Sequence, residues 1–183
     1  MLQRHFYTAG FAVYIALAAM GTVRHKLMLR ESESRLSSAR LLRFTSDSSD
    51  SAYLLELLAF ELLFKLVMER ATQSAAPTHH HYDTIFGNLP QETQAEVLRL
   101  AGERIGPSAL SSDHLGVLKD LRSNFVLLRY PYEKYSNMSE VEYAAVGDSW
   151  IANGARPSDA DYRYHPEELL GLTFALQQLA NGS

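Results

Sequence analysis

The chain of 183 residues contains no cysteine. Disulfide bonds, thiol catalysis and cysteine-ligated zinc are therefore excluded, and the composition fits a cytoplasmic protein. Positive charge is also scarce, because 17 Lys and Arg residues stand against 21 Asp and Glu residues, for a formal net charge of −4. Proteins that coat DNA without specificity are basic, so we expect no broad nucleic-acid surface, although a local basic site is compatible with this charge.

The sequence also lacks the short motifs of the familiar enzyme classes. It has no Walker A loop, no glycine fingerprint for dinucleotides, no nucleophile-elbow serine and no His-Glu-x-x-His zinc motif. Period-two strand patterns and internal repeats are missing as well. We therefore expect an all-α protein without a cofactor.

One long apolar run is present, at residues 6–23. A membrane span needs about 20 apolar residues, and small and polar residues interrupt this run. A charged start precedes it, as in a signal peptide. We favour a buried or dimer-interface helix, so a membrane partner is not expected. A membrane anchor or signal segment is the alternative.

Apolar residues recur at helical spacing along the chain and predict an antiparallel helical bundle with extra N- and C-terminal helices. The predicted helices cover about 6–29, 31–45, 52–71, 82–89, 90–105, 112–130, 140–152 and the residues from 166 onward. The 52–71 helix is apolar on nearly every side, which places it at the centre. We treat 1–183 as a single domain with its core at 31–135, an N-terminal helix at 1–30 and C-terminal helices at 136–183.

Two arginines, Arg122 and Arg129, are separated by about two helical turns, so they lie on one side of their helix, beside its apolar stripe. Tyr130, Tyr132 and Glu133 follow. Arginine suits phosphate and carboxylate recognition, and tyrosine stacks on bases. These residues either bind a phosphate or a base, or form a charged network that fixes helix packing or a dimer interface. We favour the network, because buried charges are frequently structural.

Proline at position 131 should end or kink this helix near Tyr130. An ion pair between Arg129 and Glu133 therefore cannot be assumed from their spacing of four residues. The arginines are left without a predicted partner on their own helix.

His79, His80, His81 and Asp83 are residue types that bind metals. Adjacent side chains on a helix point about 100° apart, however, and zinc needs three or four convergent ligands. We favour a solvated turn, within which His80 and Asp83 can share a face. The isolated histidines at 114 and 165, and the arginine at 163, are treated as surface or helix-terminal residues.

Glu61 and Lys65 are four residues apart on the 52–71 helix, in the order that favours an ion pair. They are either an acid–base pair or a salt bridge in the core. We favour the salt bridge, because a buried charge persists mainly when it is paired.

Three segments together resemble the HEPN domain family. Residues 52–65, Ala-Tyr-Leu-Leu-Glu-Leu-Leu-Ala-Phe-Glu-Leu-Leu-Phe-Lys, are similar to the second HEPN helix. His80 followed by Phe-Gly-Asn-Leu-Pro at 86–90 resembles the next segment of the family, and residues 122–133 resemble its later helix with a polar arginine. The likeness covers about residues 31–135.

The resemblance implies an all-α bundle that forms a homodimer. Family members act as metal-independent ribonucleases in phage defence or toxin–antitoxin systems, bind nucleotides, or serve as non-catalytic partner proteins. Catalytic members carry Arg, four to six residues, then His; the histidine acts as acid or base and the arginine stabilises the phosphate. Of these two, the resemblance carries over only Arg122.

This sequence departs from that motif, because Arg129 stands where the histidine is expected and no Arg–x(4–6)–His occurs in the chain. Our leading hypothesis is therefore a non-catalytic dimer, linked to prokaryotic defence or stress, that binds a nucleotide, RNA or a partner protein beside Arg122 and Arg129. A divergent metal-independent ribonuclease using Arg122 and His80 is the second hypothesis. A structural or membrane-tethered interaction protein is the third.

Overall fold

The computed structural model describes residues 5–45 and 49–182, with side chains from residue 23 onward. Within these residues every regular element is a helix, so the predicted all-α class is confirmed. The helices are α1 (His5–Phe44), α2 (Ser51–Thr72), α3 (Tyr82–Gly87), α4 (Gln91–Ile105), α5 (Leu110–Leu127), α6 (Pro131–Lys134), α7 (Glu140–Ala144), α8 (Val146–Ala152) and α9 (Pro166–Asn181). A single 3-10 turn, Pro157–Asp159, precedes α9.

The prediction of two helices at 6–29 and 31–45 is wrong, because α1 is one helix of 40 residues. The stretch around the predicted break contains neither proline nor glycine, so nothing in the backbone chemistry interrupts the helix. Glu31 and Arg35 instead form an ion pair of 2.7 Å across one helical turn, which supports the helix at that point.

The side chains of the apolar run at 6–23 lie almost entirely outside the described part of the chain, so its role as a core, dimer or membrane helix stays a prediction. Among the helices searched within the described residues, none is both long enough and apolar enough to cross a membrane.

Helices α1 and α2 form an antiparallel hairpin. At one end Arg43 Nη2 lies 2.6 Å from Glu56 Oε2, and at the other Arg24 Nη2 lies 3.0 Å from Glu69 Oε1. Arg24, the earlier arginine of α1, thus pairs with Glu69, the later glutamate of α2, as the antiparallel arrangement requires. Helix α2 is buried along most of its length, as its apolar circumference predicts.

Helix α9 runs parallel to α2 rather than antiparallel to it. The Tyr53 hydroxyl, near the start of α2, donates to the carbonyl of Tyr164 just before α9. Near the other end of both helices, the Arg70 guanidinium donates to the carbonyl of Ala180. Apolar side chains of α9 join the same hydrophobic core as α2: Leu169, Leu172, Ala175, Leu176 and Ala180. The C-terminal helix therefore contributes to the core that the sequence placed at 31–135.

The ends of the shorter helices follow their local chemistry. Helix α5 ends at Leu127, a few residues before the predicted end near Tyr130, and Pro131 opens α6. The prediction that the helix does not continue through Pro131 is confirmed. The predicted 140–152 helix is divided at Ala145 into α7 and α8. Gly154, with φ of 91°, follows the end of α8 in a conformation that favours glycine.

Candidate functional site

Glu61 lies near the middle of α2, and its carboxylate is almost enclosed by the core. Lys65 follows one helical turn later, and its Nζ lies 2.8 Å from Glu61 Oε1. The side chains of Glu61 and Lys65 are only 11% and 12% exposed. The predicted ion pair is confirmed, and it places two opposite charges together in a largely desolvated environment.

Two side chains from the connection between α2 and α3 reach the same carboxylate. His80 Nδ1 lies 2.7 Å from Glu61 Oε2 and 2.9 Å from Oε1, and the Tyr82 hydroxyl donates to Oε2 over 3.0 Å. A carboxylate only accepts hydrogen bonds, so His80 Nδ1 carries the hydrogen. This contact fixes the orientation of the ring and leaves Nε2 as its other functional atom.

Tyr82 is fully buried, and its ring packs edge-on against that of Phe60 at 5.1 Å between centroids. Burial raises the pKa of Tyr82 well above its ordinary value, and the negative charge of Glu61 raises it further. The hydroxyl therefore remains protonated at neutral pH and acts as a permanent donor to the carboxylate. Tyr82 is buried in the core, whereas His80 and His81, which precede it in the chain, are half-buried at the edge of the core.

Phe125 on α5 connects this cluster to the predicted arginine site. The His80 ring centroid lies 4.8 Å from that of Phe125, and the Arg129 guanidinium carbon lies 4.4 Å from the same centroid. Arg129 Nε also donates to the Phe125 carbonyl over 2.9 Å. Both the histidine ring and the arginine guanidinium therefore pack against the ring of Phe125.

The outer atoms of this arrangement are available to a ligand. Within the described residues, neither His80 Nε2 nor the two terminal nitrogens of Arg129 make a hydrogen bond, and Arg129 is exposed. An imidazole nitrogen can transfer a proton, and a guanidinium can hold a phosphate oxygen. The arrangement can therefore bind an anion and exchange a proton with it.

Metal binding is not supported here. The Lys65 ammonium occupies one side of the Glu61 carboxylate, where it would repel a cation. The described residues include no group of three His, Asp or Glu side chains placed to hold a metal ion. Instead of pairing with Asp83, His80 binds Glu61, while the rings of His79 and His81 pack together at 4.8 Å.

The structure does not bring all the predicted site residues together. Arg122 is half-buried on α5 and makes no hydrogen bond or ion pair within the described residues. Tyr130 and Tyr132 are 52% and 63% exposed, with their ring centroids 6.2 Å apart. Glu133 is exposed, and no ion pair joins it to Arg129 in the described part of the chain.

Sequence reasoning missed the contacts that hold the site. Phe125 belongs to the apolar stripe beside Arg122 and Arg129 and was not singled out, although its spacing of four residues from Arg129 is a signal that the two side chains meet. The link from Glu61 to His80 and Tyr82 spans about twenty residues and leaves no local pattern.

Arg163 and His165 are not isolated, which corrects the sequence-based assignment. His165 Nε2 lies 3.0 Å from Asp120 Oδ2, and Arg163 Nη1 lies 3.4 Å from the same oxygen. His165 Nδ1 faces Glu168 Oε2 at 3.7 Å. Because both ring nitrogens face carboxylates, this histidine joins α5 to the start of α9 and is not free for proton transfer.

Comparison with known proteins identifies no relative of this chain. No family model, no curated protein and no solved structure matches the chain.

Proposed function

We propose that this protein is a HEPN-like helical bundle that binds RNA or nucleotide phosphate at the site formed by His80, Phe125 and Arg129. The observation that carries the proposal is the shared Phe125 ring, which lies within 5 Å of both the histidine ring and the guanidinium carbon. A phosphate between these two groups would accept hydrogen bonds from the arginine and from a protonated histidine.

The neighbouring tyrosines suit the same ligand. Tyr130 and Tyr132 are exposed and follow directly after Arg129 in the chain. Exposed aromatic rings beside a cation form the usual combination for single-stranded nucleic acid, in which bases stack and phosphates pair. The net charge of −4 favours a small local footprint over an extended one.

Binding can be measured by fluorescence anisotropy with a labelled single-stranded RNA. Arg129→Gln should weaken binding by about tenfold or more, because one charge-assisted contact is lost, and should flatten the salt dependence. Arg99→Gln is the matched control, since Arg99 is exposed on α4 and is already paired with Glu96 and Glu103. Equal affinities of the two variants, or no RNA binding by the unaltered protein, would overturn the proposal.

A second function, metal-independent RNA cleavage, is favoured by the contact between Glu61 and His80. A carboxylate that accepts from Nδ1 orients the ring and leaves Nε2 as the free nitrogen, as a positioning residue does for a general base. In such a reaction His80 Nε2 would take the proton of the 2′-hydroxyl as its oxygen attacks phosphorus. The bond to the 5′-oxygen breaks, water protonates that oxygen, and Arg129 stabilises the phosphorane charge.

The cleavage hypothesis is tested in EDTA with a single-stranded RNA, scoring products that end in a 2′,3′-cyclic phosphate. His80→Gln should lower the rate by about a hundredfold or more. His79→Gln is the control, because His79 contacts His81 and not Glu61. If His80→Gln cleaves as fast as the unaltered protein, or if neither cleaves faster than buffer alone, His80 is not the base of an RNA-cleaving site and the cleavage hypothesis is wrong.

The homodimer and the link to prokaryotic defence or stress rest on the family resemblance. Light scattering on the intact 20.5 kDa chain should give twice that mass if two copies associate. A mass of one chain at every concentration would argue against the dimer and leave RNA binding to the single subunit.

A further inference from the structure

A concave site lies between α1, the end of α4 and α9. Its cavity volume is about 510 Å³, which falls in the range of small-molecule sites. It shares no lining residue with the site around His80. Its lining combines three arginines, two glutamates, apolar side chains and one buried hydroxyl.

Three arginines border this cavity, and two of them are without a carboxylate partner in the described residues. Arg43 is paired with Glu56, with distances of 2.6 and 2.8 Å. Arg40 and Arg104 are exposed and make no ion pair there. The Arg104 guanidinium carbon lies 5.5 Å from the centroid of the Phe174 ring. Two carboxylates, Glu56 and Glu167, also line the cavity. Glu56 is taken up by Arg43, so within the described residues the unpaired cations of the lining are Arg40 and Arg104, and the lining keeps a small excess of positive charge.

The floor of the cavity is apolar. Leu36 of α1 and Leu169, Leu170 and Phe174 of α9 line it. Leu36, Arg40 and Arg43 fall on one face of α1, because they are spaced by four and three residues. A ligand in this cavity would meet carbon atoms below and guanidinium groups at the edge.

Thr173 supplies an independent indication of a ligand. It is 5% exposed and lines the cavity. Its Oγ1 is buried and has no hydrogen-bond partner within the described part of the chain. Threonine on a helix can satisfy its hydroxyl at a carbonyl one turn earlier, and an unsatisfied buried hydroxyl destabilises the fold. Oγ1 itself is covered, so an occupant of the cavity would bond it after the side chain rotates about χ1 and turns the hydroxyl toward the cavity.

We infer that this cavity binds a small organic anion with an apolar or aromatic body. Its phosphate or carboxylate lies between Arg40 and Arg104, its body lies on Leu169 and Phe174, and one of its polar atoms bonds Thr173 Oγ1. An aromatic nucleotide and a medium-chain fatty acid share this chemistry.

Calorimetric titration of the full chain with AMP, decanoate and inorganic phosphate tests the inference and separates these two sources. AMP or decanoate should bind, and inorganic phosphate, which has no body, should bind at least about tenfold more weakly. Arg104→Gln should weaken binding of the organic anion by about tenfold or more. Arg99→Gln, on the same helix but outside the cavity, should leave it unchanged. Failure of both organic anions to bind, or equal binding by the two variants, would overturn the inference.

Thr173→Val separates a ligand contact from a structural role. Valine has nearly the shape of threonine and lacks the hydroxyl. We expect weaker binding of the organic anion together with a fold that is at least as stable to urea as the unaltered chain. A destabilised variant would show that the hydroxyl serves the fold. A second copy of the chain in the cavity is a further contrary outcome; light scattering would then show a dimer that Arg104→Gln dissociates.

Discussion

Glu61 accepts hydrogen bonds from side chains that come from two separate stretches of the chain. Lys65 lies on the same helix, whereas His80 and Tyr82 lie beyond its end. Each donor offsets part of the cost of burying a carboxylate. The same contacts that make the charge tolerable also orient the imidazole that packs on the same Phe125 ring as Arg129. At the scale of single residues, stability and the proposed function therefore depend on the same atoms.

Lys65→Met should lower the free energy of unfolding by about 3 kcal/mol, because it leaves a buried carboxylate without its cation. Urea denaturation followed by circular dichroism measures the change. The double variant Glu61→Met with Lys65→Met should lose less than the single one, since no unpaired charge remains. A single variant as stable as the unaltered chain would show that water reaches the carboxylate and screens it.

A small cluster of buried hydrogen bonds connects three elements: α2, α5 and the segment before α9. Asn124 is 2% exposed, and its Nδ2 donates to the Arg163 carbonyl over 2.7 Å and to the Tyr53 hydroxyl over 3.3 Å. The Tyr53 hydroxyl in turn donates to the Tyr164 carbonyl. These bonds join three elements at the point where α9 begins and explain why α9 lies parallel to α2.

Asn124→Ala should destabilise the protein by about 2 kcal/mol, because the Arg163 carbonyl and the Tyr53 hydroxyl both lose a hydrogen-bond donor. Ser123→Ala, at the exposed neighbouring position, is the control and should change stability little. Thermal and urea denaturation report both variants. Hydrogen exchange should show the largest loss of protection in the first turn of α9. A uniform loss over all helices would mean that Asn124 supports the core in general and not this junction.

A second buried carboxylate, that of Glu69, links α1 to α2 at the end of their hairpin where Arg24 lies. Glu69 accepts hydrogen bonds from Arg24 and from the backbone of Ala76, and lies 3.1 Å from His25 Nε2. Burial alone would raise the pKa of Glu69, but the hydrogen bonds from Arg24 and Ala76 outweigh it and lower the pKa below the ordinary 4.5. Ionised Glu69 therefore stabilises the folded state.

The sign of the pH dependence follows from the lowered pKa. The stability that Glu69 contributes is present above pH 4.5 and is lost as pH falls through the folded-state pKa. Glu69→Gln should cost about 2 kcal/mol at pH 7, and the cost should shrink as the pH falls further below 4.5. A series of urea denaturations from pH 7 into the acid range measures the change, with Glu92→Gln on the exposed start of α4 as the control. A cost that does not change with pH would show that shape, not charge, matters at position 69.

Local chemistry made much of the fold predictable. Helical periodicity located the buried α2, proline ended α5, and the Ser139 capping box began α7 at the predicted residue. The Glu61–Lys65 pair follows from a spacing of four residues. The predicted break in α1 failed because polar surface residues resemble a loop in a sequence pattern, whereas only proline, glycine or lost packing would end the helix.

The candidate site was predictable only in pieces. Arg129 and His80 were each identified as candidates, but nothing in the sequence shows that one phenylalanine contacts both. Arg122 was grouped with Arg129 from helical phase, yet the contacts to Phe125 and Glu61 involve Arg129 and His80 instead. Phase tells which side of a helix a residue lies on and does not tell what faces it.

The sequence by itself determined the helical class, the short-range ion pair on α2 and a helix end ahead of Pro131, because these depend on interactions within a few residues. Only the tertiary structure decided that His80 binds Glu61 and that Phe125 packs against both His80 and Arg129. The parallel direction of α9 relative to α2 was likewise decided by the tertiary structure. Those outcomes depend on how whole apolar faces pack, and packing joins residues whose separation along the chain carries no signal.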